Sequence, residues 1–131
     1  MVNNLKKKIE LSNLLEQVET NFDSKEIISK LDKLHSKSKA HVIGITGAPG
    51  VGKSSLIDKL VKHIRKKDKS VGIIAIDPSS ERSGGALLGD RTRLMLNPSD
   101  NNVFVRSMAS KSFLGGISEL TYPSMVVMRA M

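Results

Sequence analysis

Gly47 is followed by four residues and then by Gly52, Lys53 and Ser54. This is the spacing of a phosphate-binding loop, or P-loop. Glycines let the chain turn its N–H groups inward around anionic oxygens without a Cβ in the way. The start of the helix that follows adds the positive end of its dipole. At the seventh position of the motif, Lys53 reaches the β- and γ-phosphates, and the Ser54 hydroxyl binds Mg2+. With glycine at about 7% of residues, a chance match in a chain of this length is ~0.4%. The alternative is a structural glycine-rich turn.

A second candidate is Asp77. The helix after the loop should run for ~14 residues and rise about 21 Å. The apolar run that follows, Val71 to Ile76, covers about 20 Å as a strand. A right-handed crossover therefore brings its end back beside the loop. Asp77 then sits at the carboxyl edge of the sheet, where a carboxylate holds Mg2+ directly or through water. The competing reading is an Asp-Pro turn opener. Farther on, Gly84, Gly85 and Gly89 precede Asp90. This stretch reads as a mobile loop, or as a segment that senses the bound nucleotide.

These residues need elements to hold them. Leu11, Leu14, Leu15 and Val18 form one stripe of an amphipathic helix. Asp23 stands three residues before Glu26, a capping-box-like start for a second helix with the stripe Ile27, Ile28, Leu31 and Leu34. "HSKSKAH" reads as a polar connector, and His41 to Thr46 as a buried strand leading into the glycine loop. Leu56, Leu60, Val61 and Ile64 mark the helix after it. Val71 to Ile76 is the second strand and "VFVRSM" a short third one. "DPSSERSGGALLGD", residues 77–90, and "SKSFLGG" read as loops, and Arg91 to Leu96 as a helical turn. The end is expected to be helical from Pro123 on, since proline suits a first helical position. The fold class is α/β: a P-loop NTPase with a partial parallel sheet flanked by helices, preceded by two amino-terminal helices. The expected division is a helical segment, 1–38, and a P-loop domain portion, 39–131.

The 131 residues include 39% hydrophobic but only 3% aromatic residues, so the core must be aliphatic and methionine. There is no cysteine, which excludes disulfides and thiolate metal sites. The amino terminus has no continuous apolar segment of the secretory kind. No window approaches the ~18 apolar residues of a membrane span. A cytoplasmic protein with no membrane partner is expected. The net charge is +8, and residues 41–70 alone carry +5. A nucleic-acid surface is one reading of that excess. The scarcity of aromatics for base stacking argues against it, and "KHIRKKDK" reads as the solvated end of a helix.

Taken together, "GITGAPGVGKSS", "IAIDPSS", "RSGGALLGDRTR" and "FVRS…LGG" resemble the MeaB/ArgK family of P-loop GTPases. The likeness covers about residues 41–121. The P-loop is widely shared, whereas the "DPSS…SGG…LGD.TR" series is much more specific. The resemblance implies GTP or GDP as ligand, Mg2+ as cofactor, and a G-protein chaperone of a cobalamin-dependent acyl-CoA mutase, chiefly methylmalonyl-CoA mutase. Carried onto this chain, Gly47, Ala48, Pro49, Gly50, Val51, Gly52, Lys53, Ser54 and Ser55 contact the phosphates. Ser54 and Asp77 hold the metal. Lys53 and Asp90 are the catalytic candidates, with Asp90 near the metal or the attacking water. Its other reading is an N-cap for "RTRLML".

The chain also departs from the family. Members continue with an acidic strand end and "VGxGQ", then a base-reading "NKxD"; neither is present here. Ser29-Lys30-Leu31-Asp32 mimics the latter but precedes the P-loop on an expected helix, so it is rejected. Pro123 falls in a stretch that the family makes helical, so that helix is expected to be broken or to start late. Two other functions stay in play: an ATP-using P-loop kinase or ATPase of the kind associated with amino-acid transport, and a catalytically inactive nucleotide-binding fragment. Self-association, with a homodimer as one form of it, is expected from apolar surface left uncovered.

Overall fold

The computed structural model describes residues 2–77, 96, 97, 99–109 and 117–130. It contains four helices among these residues: α1 (Val2–Asn21), α2 (Lys25–Lys37), α3 (Lys53–Arg65) and α4 (Thr121–Ala130). Two strands, β1 (Val71–Asp77) and β2 (Val103–Ala109), pair in parallel, with Val71 opposite Val103 and Asp77 opposite Ala109. Helices and a small parallel sheet fit a partial P-loop NTPase domain. Of the expected loop over 77–90 only Asp77 is described, and it closes β1 rather than opening the loop. The rest of that loop, the loop over 110–116 and all of the expected turn except Leu96 lie outside the described residues. No helix among those described is long and apolar enough to cross a membrane.

The amino-terminal pair folds as its apolar periodicity requires. Leu11, Leu15 and Val18 of α1 are buried, and Leu14 packs beside them. The second helix starts one residue later than the capping-box pattern implied. Ser24 is the N-cap, its hydroxyl accepting from the Ile27 N–H at 3.2 Å. Ile27 is buried and Leu31 and Leu34 are half-buried, while Ile28 is exposed. These side chains share a core with Val127 and Met128 of α4 and Phe104 of β2. The two amino-terminal helices are thus packed into the same cluster as the sheet.

Two expectations fail here for physical reasons. His41 to Thr46 is not a strand: it pairs with no neighbour among the described residues, and Val42 and Ile43 are 54% and 65% exposed. A strand exists only through its ladder, and β1 and β2 pair with each other instead. The last helix is neither broken nor late. It begins at Thr121, which places Pro123 in the first turn, where a missing N–H loses no helical bond. Ser118 supports that start: its N–H donates to Thr121 Oγ1 at 3.1 Å.

One face of the sheet is covered by α4 and α1. A Cβ on Gly72 would lie 3.0 Å from Met128 Sδ, so glycine is what lets α4 approach. Opposite Gly72 is Phe104, and two residues along β2 on the same side is Arg106. Arg106 grips Glu19 of α1 as a fork, Nε donating to Oε1 at 2.8 Å and Nη2 to Oε2. Both side chains are about one-quarter exposed or less. The Glu19 carboxylate raises the Arg106 pKa above its usual value. At the other end of β2, Arg65 of α3 donates to Asp100 Oδ2 at 2.7 Å. Asp100 Oδ1 accepts from the Asn102 N–H at 2.9 Å. The Arg65 hydrogen bond first, then that backbone N–H, hold the Asp100 carboxyl below the usual carboxylate range, with a smaller contribution from the charge of Lys8.

Two outcomes follow from these pairs. Arg106→Met strands a half-buried carboxylate and should cost about 2 kcal/mol in a denaturant titration; adding Glu19→Leu should recover much of that. Asp100 has a lowered native pKa, so its stabilisation is present above the unfolded value near pH ~4 and is lost as pH falls through the native one. Asp100→Asn should lower stability at neutral pH by about 1 kcal/mol and flatten this part of the acid-unfolding profile. An unchanged profile would show that the pair is energetically silent.

Candidate functional site

The glycine motif forms the turn into α3. Gly52 is the N-cap of that helix, with φ 92° and ψ 16°, and no side chain caps it. That left-handed backbone excludes most other residues without strain. The first helical bond runs from the Leu56 N–H to the Gly52 carbonyl at 3.0 Å. The N–H groups of Lys53, Ser54 and Ser55 therefore have no acceptor within the helix. Val61 anchors α3 in the interior, and Leu60 and Ile64 are half-buried against the body of the chain. Leu56, expected in that apolar stripe, is 56% exposed.

Lys53 folds back over the loop it follows. Its ammonium donates to the Gly47 and Ala48 carbonyls, each at 2.7 Å. Two of its three N–H groups are committed there, which leaves one to point at an anion. The contact fixes the charge at the mouth of the loop and closes the turn without help from a ladder. The turn itself favours glycine at 47: its φ is 152°, and a Cβ there would lie 3.3 Å from Val51 Cγ2. Sequence alone gave no sign that the lysine would also brace its own loop. A positive charge, N–H groups without a helical acceptor and an uncapped glycine turn are features that suit an anion.

The sequence-derived site residues are placed as follows. Gly47 to Gly52 and Ser55 are exposed, and Lys53 and Ser54 are half-buried. Asp77 is the last residue of β1, at the carboxyl edge of the sheet as its spacing implied. Asp90 lies outside the described residues. A serine hydroxyl and an aspartate are hard oxygen donors of the kind Mg2+ takes alongside water and phosphate oxygens. Among the described residues no group of three or more His, Cys, Asp or Glu is placed to hold a metal. An ion held by Ser54 and Asp77 would take its remaining positions from phosphate and water.

Residues 10–131 match the model of a family described as methylmalonyl Co-A mutase-associated GTPase MeaB. A protein of Pyrococcus horikoshii named as a GTPase is 48% identical over 107 residues, covering 82% of this chain and 33% of that protein. The "Fused isobutyryl-CoA mutase" of Cupriavidus metallidurans is 39% identical over 112 residues, 83% of this chain and 10% of that one. The mouse "Methylmalonic aciduria type A homolog, mitochondrial" is 36% identical over 85 residues, 65% of this chain and 20% of its own. The chain spans about a third or less of the relatives it matches.

The loop geometry makes Gly52 a sensitive position. Gly52→Ala forces a Cβ into a left-handed N-cap and should destabilise the chain by about 1 kcal/mol. It should also weaken phosphate binding more than that figure alone implies, because the N–H groups it misaims are those left without a helical acceptor at the start of α3. Isothermal titration with pyrophosphate at matched folded fraction checks this; equal affinity in the variant would refute it.

Proposed function

Because the chain belongs to the MeaB family of methylmalonyl-CoA mutase-associated GTPases, we propose that it is the phosphate-holding, amino-terminal part of a P-loop domain that binds GTP and GDP with Mg2+. In the whole protein this domain hydrolyses GTP and serves as a G-protein chaperone of a cobalamin-dependent acyl-CoA mutase. The observation that carries the reading is Lys53, held by two loop carbonyls at the start of an uncapped helix. A mutase as the partner is supported by a relative whose own name is that of a fused mutase.

Hydrolysis of this kind rests on positioning and charge, with little covalent work for the protein. Residues Gly47 to Ser55 orient the phosphates through backbone N–H groups, and Lys53 stabilises charge that grows on the β- and γ-oxygens. Ser54 and Asp77 would hold Mg2+, whose chemistry is to neutralise phosphate charge and to keep the oxygens aligned. Asp90 is assigned the placement of the attacking water or of a metal-bound one. The chain carries no "NKxD" segment after Asp90. Guanine selection depends on a carboxylate that pairs with the ring N–H and the amine, and without it several kcal/mol of discrimination are lost.

The test is a thermal-shift titration with Mg2+ and nucleotide. Saturation at 100 times the dissociation constant should stabilise the chain by about 2.7 kcal/mol. The shift should vanish in Lys53→Ala. Asp77→Ala should lose only its Mg2+-dependent part. The 131 residues alone should bind GTP and ATP with similar, weak affinity and turn both over very slowly. Absence of a shift with any nucleotide would falsify phosphate binding. A tenfold preference for GTP would mean that guanine is read by residues assigned here to other roles.

A further inference from the structure

The stretch that enters the phosphate loop is tied to α4. The His35 ring, near the end of α2, lies 6.5 Å from the Tyr122 ring in the first turn of α4. Five residues later, the Ala40 carbonyl accepts from Arg129 Nε at 3.1 Å. Tyr122 and Arg129 are seven residues apart, two turns of one helix face and about 10 Å along its axis. The connector between α2 and the loop therefore runs along α4 from its start to its end. It reads in the sequence as a free polar linker; in the fold it is fastened at both ends. The helix it rests on is itself fixed, since Ser124, Val126 and Val127 are buried.

Beyond Ala40, among the described residues, no hydrogen bond or strand pairing holds the chain up to Thr46. Residues 41–46 join no ladder among the described residues, and Val42 and Ile43 face solvent. The next fixed points are the Gly47 and Ala48 carbonyls, held by the Lys53 ammonium. The stem of the loop thus hangs between two cationic clamps, one on each side. The clamp on the far side is a proposed binding residue. The clamp on the near side touches no candidate ligand group, but it sets where the stem begins.

We propose that Arg129 is a positioning residue for the phosphate loop, acting through its bond to the Ala40 carbonyl at the root of the stem. The proposal rests on the nucleotide reading of that loop. Arginine suits the task, because a rigid charged fork donating to a carbonyl gives a directional, charge-assisted bond. Loss of this bond lets the stem sample more directions, so the loop pays more ordering entropy when it closes on phosphate.

Arg129→Met removes the donors and keeps most of the apolar stem, while Arg129→Lys keeps the charge with a single ammonium. Two readouts apply to the 131-residue chain. Amide hydrogen exchange in the ligand-free chain should be faster over 41–47 in Arg129→Met and intermediate in Arg129→Lys. Affinity for a fluorescent GDP analogue with Mg2+, measured well below the melting temperature, should fall by about three- to tenfold in Arg129→Met and partly recover in Arg129→Lys. A merely structural role would lower the melting temperature and leave that affinity untouched, and this outcome overturns the proposal. Faster exchange with unchanged affinity overturns it too. If the unmutated chain binds no nucleotide, the nucleotide reading fails on its own and the proposal, which rests on it, falls with it. Exchange over 41–47 that is unchanged in Arg129→Met overturns the role of Arg129 separately.

Discussion

Two parallel strands do not make a stable sheet in water; they need a hydrophobic face covered by something else. In this chain the cover comes from the two ends of the sequence. One wall is α1, from the amino terminus, and the other is α4, from the carboxyl end of the described residues. They meet over Phe104, with Leu11, Leu15, Val18, Ile27 and Val127 closing the seam. Gly72 lets Met128 come down onto the sheet where a side chain would hold it off. Without that seam neither strand has a reason to stay paired, and Asp77 has no fixed place at the end of β1.

Charge refines what apolar contact builds. An apolar seam is forgiving about sliding and rotation, because burial depends on area rather than direction. The Arg106–Glu19 fork is directional, and it sits where a slip of α1 along β2 would break it. Arg65 and Asp100 do the same for α3 and the entry to β2, near the opposite end of the strand. Each pair joins segments far apart in sequence. Part of the basic excess that looks like a free surface in the composition is therefore committed inside the fold, while Lys66, Lys67 and Lys69 remain exposed.

The candidate site stands apart from this seam. Its loop is built locally: a glycine turn, a helix start and a lysine six residues from the carbonyl it braces. What links it to the body is α3 on one side, through Val61, and the α4-bound connector on the other. A binding loop whose own contacts are few, carried on a scaffold whose contacts are many, is suited to closing around a ligand. The match to a GTPase family agrees with the use such a loop is put to.

The parts legible in the sequence are those that local rules decide. The glycine turn into α3 shows because residue type and spacing alone fix which backbone angles and N–H groups are on offer. The stripes of α1, α2 and α3 show because a helix satisfies its own hydrogen bonds and needs only one face buried. The runs at Val71 and Val103 show because they are short, apolar and β-branched, and both found a partner. His41 to Thr46 has the same local character and remained unpaired among the described residues, since a strand is completed by a neighbour that its own residues do not specify. Pro123 looked like a break until the helix start was placed two residues before it, by a Ser118–Thr121 bond that no periodicity displays. The Arg106–Glu19 and Arg129–Ala40 contacts join residues 87 and 89 positions apart. Sequence determined what each segment offers; tertiary packing decided which offers were met, because only folding brings distant donors, acceptors and apolar faces within reach of one another.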